Sequence, residues 1–446
     1  MFESPSQILL KGVYCSLLLF AFEALTLTGS LTQYGYLAFL AAPLSVIYLL
    51  ARNREGLSTV NAFPNAGRFI IPFLPFILAF SAVTLIYCNG DGDWVLDYPA
   101  IVGIILLCSV CFGAISLGKP VTKSLFVLAC ALGTSFYVLD IVCTSIQCNV
   151  GLWDSKNWVV PYSTTYGRCI MIPAGLAYLG YFLLPQEEKA TRWFALIAGC
   201  AGFIAATGFI AVRAVIPAVG IAFLCGLYLI WQKKQRKLLW PLFGSMAAVV
   251  LILGLASPLP QKILLGLQES TSVIESGAAG KTVTSILDKG HTDGTQKEEA
   301  LQKSLNNSMG GRFAIWELAK IQFQQSPWIG HGEGRPSAFI NLKELFKFST
   351  DYLVHFHSDY VHSAVVGGLL LLGGLLWTQL WLIWIARRDP LRLYLILSIC
   401  TFGVFEIGFL EVTCFASFMG AWTILSAWNL KNSDENFLPA EQQIVS

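Results

Sequence analysis

Membrane-length apolar runs fill this chain from near its start to near its end, and one long polar interval, Ser257 to His357, interrupts them. An apolar helix needs about 20 residues to cross a bilayer, and a backbone in lipid satisfies its polar groups only in helices or closed barrels. The runs lie near 8–27, 33–51, 69–87, 98–117, 122–142, 168–184, 193–211, 214–231, 238–256, 359–385, 392–409 and 412–430. The expected architecture is therefore all-α and polytopic, with about twelve transmembrane helices and one large, mainly helical loop between spans nine and ten. Residues 1–256 hold the first nine spans, 257–358 the loop domain, 359–430 the last three spans, and 431–446 a short polar tail. Charged residues make up 13% of the chain, against about 25% in soluble domains, which excludes an ordinary soluble enzyme. The first run lacks a small-residue cleavage site and reads as a retained anchor.

Lys and Arg fall in alternate connections, among them Arg52, Arg54, Lys123, Lys189, Lys233, Arg236 and Arg387. Cations favour cytoplasmic loops, so both termini are expected inside and the long loop outside. Most of the twelve cysteines lie inside runs, where Cys behaves as a small apolar residue. Cys143 and Cys148 flank an outer loop, either as a disulfide or as two free thiols.

The loop carries ten acidic and ten basic residues, so it is no polybasic lipid clamp. Its first part, 261–309, reads as one or two amphipathic helices around a flexible Gly-Ala-Ala-Gly stretch. The second part, Arg312 to Gln325, has an apolar face at helical spacing and stops at Pro327. Gly330-His331-Gly332-Glu333-Gly334 follows. It is either a tight turn or a nest whose N–H groups face a ligand.

Three arginines stand on the outer side, where the topology rule disfavours them. Arg213 lies between two spans with almost no loop, Arg168 opens the sixth span, and Arg312 begins the loop helix. Each either snorkels to lipid headgroups or binds an anion, since Arg meets phosphate oxygens through two parallel hydrogen bonds. Four of the five histidines, His331, His355, His357 and His362, crowd the end of the loop. His357 precedes a span for which Ser358 or Asp359 is the candidate N-cap. A neutral imidazole there can take a proton from a hydroxyl; a cap role or a weak His-cluster metal site are the alternatives.

Arg312 to Ala319, Pro327 to Gly334, and His357-Ser358 with Gly368 together resemble the signature of the O-antigen ligase and O-antigen polymerase superfamily. The resemblance covers residues 310 to 375 and extends to the topology; Ser358 stands where the family often has Asn. It implies glycosyl transfer at the periplasmic face of a bacterial inner membrane. The donor would be a glycan on undecaprenyl pyrophosphate, and the acceptor a sugar hydroxyl of the lipid A core. His357 would be the general base, with Arg213 and Arg312 on the pyrophosphate, and Arg168, Arg335, Gly330 and Gly332 as further substrate contacts. The transfer would invert the anomeric centre and need no metal, nucleotide or other cofactor, and no nucleic acid. A polymerase of the same superfamily would instead extend a second lipid-linked unit. From a different class, a secondary transporter would use Glu23, Asp140 and Glu406 as intramembrane relays, although Asp140 and Glu406 also suit pairing with Arg168 or Arg213.

Overall fold

The structure, a computed structural model, describes residues 4–23, 40–87, 97–118, 121–153, 163–210, 212–257, 259–261, 263–264, 316, 319–332, 356–406, 408–410 and 412–437. Among them all regular structure is helical. The long helices are α1 (Pro5–Glu23), α2 (Ala41–Arg54), α3 (Ala62–Tyr87), α4 (Asp97–Leu117), α5 (Lys123–Gln147), α6 (Ser163–Leu183), α7 (Lys189–Phe209), α8 (Arg213–Lys233), α9 (Arg236–Ala256), α10 (Asp359–Ala386), α11 (Pro390–Phe405) and α12 (Val412–Phe437). Each overlaps one expected apolar run. Seven helices among the described residues are long and apolar enough to cross a membrane: α3, α4 from Ala100, α5, α7, α8, α9 and α10. Shorter apolar helices occupy Ile170–Leu183, Pro390–Phe405 and Cys414–Trp428. This is a multi-pass membrane protein.

Local chemistry sets the helix ends. Thr122 caps α5 by accepting from Leu125 N at 3.3 Å. Asp389 caps α11 by accepting from Leu391 N at 3.0 Å and Arg392 N at 3.4 Å, with Pro390 in the first turn, where its missing N–H costs nothing. Close helix crossings use small residues. A Cβ on Gly199 of α7 would stand 2.7 Å from the backbone N of Tyr178 in α6. Cys143 and Cys148 are free thiols.

The cation-bearing helix ends meet at one end of the bundle. Lys233 Nζ donates to the last carbonyls of α6, Phe182 O at 3.1 Å and Leu183 O at 2.6 Å. Arg192 Nε donates to Tyr181 O at 2.8 Å, and Tyr228 and Gln232 of α8 reach the carbonyls of Arg387 and Arg388. The opposite ends of α8 and α11 carry Arg213 and Glu406.

One expected span differs from its simple reading. Residues 359–385 read as a single transmembrane helix, but α10 folds back on itself at Gly368, whose φ is 59° and ψ −157°. Tyr360 and Gln379 are 19 residues apart, which a straight helix would place about 28 Å from one another. Yet the Tyr360 hydroxyl donates to Gln379 Oε1 at 3.0 Å, and to Cys400 O at 3.1 Å. The helix is thus two limbs, 359–367 and 369–386, lying side by side, with Asp359 at the buried start of the first.

Candidate active site

The break in α10 explains much of the loop motif. In an unbroken helix the N–H groups of residues 369 and 370 would bond the carbonyls of 365 and 366. Segment 327–332 is inserted between these partners and serves all four groups. His331 N donates to Val365 O and Gly332 N to Val366 O, both at 2.9 Å; Leu369 N donates to Pro327 O at 2.7 Å and Leu370 N to Trp328 O at 3.1 Å. The two backbones approach too closely for side chains. A Cβ on Gly330 would lie 2.4 Å from the Val366 carbonyl, and one on Gly368 would lie 2.4 Å from the Trp328 carbonyl carbon. Gly330, Gly332 and Gly368 all have positive φ. Gly330 N completes the set by donating to Ser326 O at 3.0 Å. The N–H groups of Gly330, His331 and Gly332 are therefore committed to the chain itself, and of the two readings of this run, tight turn or nest, these three groups fit the turn.

Tyr87, at the end of α3, locks the inserted segment from the other side. Its hydroxyl donates to Gly330 O at 2.5 Å, and its ring faces Gly332. His331 is tied to the helix over 319–325, Nε2 standing 2.7 Å from Gln322 O, so that nitrogen carries the hydrogen. Trp316, one turn earlier, donates Nε1–H to Phe356 O at 3.0 Å.

That bond leads to His357. The residue has φ 51°, a left-handed conformation that costs a residue with a Cβ about 1–2 kcal/mol. The three residues His357, Ser358 and Asp359 all fasten to the end of α11 and the link that follows it. His357 Nδ1 is 3.2 Å from Glu406 Oε2, the histidine side chain being 26% exposed and the glutamate 3%. Against an ionised carboxylate, which only accepts, Nδ1 would carry the hydrogen and Nε2 would be the unprotonated nitrogen of the ring. Ser358 is the N-cap of α10, accepting from Val361 N at 3.5 Å while its hydroxyl donates to Gly403 O at 3.2 Å. Asp359, the other candidate cap, is fully buried and accepts from the backbone N–H groups of Gly408, Phe409 and Leu410, at 2.8 Å from Phe409. It holds in place the turn that follows Glu406.

Arg213 opens a 3-10 turn, Arg213–Val215, that leads into α8. The preceding helix ends in a π-helical turn, Ala205–Phe209, with Ile210 N bonded to Ala205 O at 3.0 Å. Such wide turns are frequent where a site needs a side chain re-aimed. The Arg213 turn packs against α11, the helix capped by Glu406, and Arg213 is half-buried. Its place at the N-terminal end of α8 adds the positive end of a helix dipole to the guanidinium. Arg168 lies in the opening turns of α6. Arg312, Arg335 and His355 lie outside the described residues. Among the described residues no three His, Cys, Asp or Glu side chains gather as a metal site.

The inserted segment, the broken α10 and the His357 clasp fall within, or border, one matched stretch: residues 200–378 fit the family described as O-antigen ligase. That match supports a place in the O-antigen ligase superfamily for this part of the chain. No curated protein matches it. The superfamily is one of glycosyltransferase-like membrane enzymes, which in general act on lipid-linked glycans and the lipid A core. The O-antigen ligase match includes Arg213, the 327–332 insert, His357 and Gly368. Two residues that complete the site, Tyr87 and Glu406, stand outside it. Glu406 was legible only as an acid in an apolar run; Tyr87 gave no signal, because a tyrosine at a helix end is also an ordinary interfacial residue.

Proposed function

We propose that the protein is an O-antigen ligase of the inner membrane, with both termini cytoplasmic and the site described above facing the periplasm. The cation-rich end of the bundle supports that orientation, since it lies opposite Arg213 along α8 and Glu406 along α11. The donor is a glycan on undecaprenyl pyrophosphate, and the acceptor a sugar hydroxyl of the lipid A core. The observation that carries the reading is the contact of His357 Nδ1 with buried Glu406.

In the reaction the acceptor oxygen forms a bond to the anomeric carbon as the bond from that carbon to the pyrophosphate oxygen breaks. The hydroxyl proton passes to His357 Nε2, and Glu406 stabilises the imidazolium that results. Undecaprenyl pyrophosphate departs with the electron pair of the broken bond, and one displacement inverts the anomeric centre. Arg213 and Arg312 meet the charge that grows on the leaving group, a task suited to guanidinium because it is always charged and bonds two oxygens at once. Arg168 and Arg335 remain proposed contacts for the headgroup or the sugars.

Purified protein carrying His357→Ala, given lipid-linked glycan and lipid A core, is expected to lose transfer by on the order of 1,000-fold with normal yield. Transfer at the wild-type rate would remove His357 from the chemistry. Wild-type product found on a second lipid-linked glycan rather than on the core would make the enzyme a polymerase.

A further inference from the structure

His357 occupies a backbone conformation that a residue with a side chain disfavours, and something must hold it there. Its φ angle is set by the orientation of the peptide plane joining it to Phe356. The carbonyl oxygen of that same plane accepts the indole N–H of Trp316 at 3.0 Å. Phe356 is fully buried, and on the far side of His357 the chain is pinned by Ser358, which caps α10 and reaches Gly403 O. Relaxation of the left-handed φ would turn this peptide plane against the stretch pinned from Ser358 onward, and a shift of the His357 Cα that accompanied it would carry the imidazole out of its 3.2 Å contact with Glu406. To rotate, the peptide must first break the bond to Trp316.

We propose that Trp316 is a positioning residue: its indole N–H latches the Phe356–His357 peptide and so keeps the imidazole against Glu406. The proposal rests on His357 being the base. It also gives Trp316 a task beyond packing, because the latch ties it to the reacting histidine. The packing of the indole, in which Trp316 is half-buried, is a separate contribution that an isosteric replacement preserves.

The test compares kcat, KM and melting temperature of the purified full-length protein in three forms besides wild type. One carries Trp316→Phe, which loses the donor and some bulk. The second carries benzothienylalanine at position 316, which keeps the indole shape but has sulfur in place of N–H. The third is His357→Ala. The isosteric form is expected to lose roughly tenfold in kcat, the worth of one hydrogen bond, with KM within about twofold of wild type and an unchanged melting temperature. Trp316→Phe is expected to lose at least as much. An isosteric form with wild-type kcat, or one that changes KM alone, would overturn the latch while His357→Ala stayed inactive. An active His357→Ala would overturn the base assignment itself, and the latch with it.

Discussion

Replacing Glu406 by glutamine preserves its size but removes the charge that faces His357 Nδ1 at 3.2 Å. The amide can still accept a hydrogen bond, but it stabilises an imidazolium far less than a carboxylate does, so kcat should fall on the order of 100-fold with little change in KM. A mass-resolved transfer assay on Glu406→Gln checks this; a KM effect alone would mean that Glu406 binds substrate rather than supporting the base. Arg213→Lys keeps a cation but loses the fork, and a loss of roughly tenfold or more is expected if bidentate pyrophosphate contact matters. At this scale the sequence was informative where a residue type was out of place. An imidazole and a guanidinium at the edge of apolar runs single out His357 and Arg213 without any structure. The partner of His357 was not legible. It lies 49 residues away, and only the placement of Ser358 and Asp359 against residues 403–410 brings it near.

The decisive element is α10, folded at Gly368 around the inserted segment 327–332. Gly368→Ala would put a Cβ 2.4 Å from the Trp328 carbonyl carbon at φ 59°, and Gly330→Ala makes the reciprocal clash with Val366. Each should destabilise the protein by about 2–3 kcal/mol and depress transfer. Gly373→Ala, five residues further along the same helix, meets nothing within 4 Å and should leave both unchanged. Thermal unfolding of the three variants in one detergent separates these outcomes. The helices themselves were readable, because hydrophobic length reports how far a chain can run in lipid. The fold-back was not, because residues 364–386 carry no charge on either side of the break and hydropathy carries no direction. The segment that fills the break at Gly368 comes from the preceding loop, 36 or more residues upstream, and no local pattern announces it.

Among the described residues, the two ends of the bundle have different chemistry: Lys233 and Arg192 bonded to helix carbonyls at one, and Arg213 and Glu406, the latter against His357, at the other. Arg192, Lys233, Arg387 and Arg388 come from connections that the sequence already marks as cationic. Helices drawn from far beyond the family match build the site, since Tyr87 belongs to α3 and Glu406 follows α11. The most direct test of the account replaces the gene in its host with the His357→Ala form and examines surface lipopolysaccharide beside the undecaprenyl-linked glycan pool. The account predicts loss of the long-chain ladder, with long glycan accumulating on undecaprenyl pyrophosphate and the variant present at normal level. An unchanged ladder and pool would contradict it.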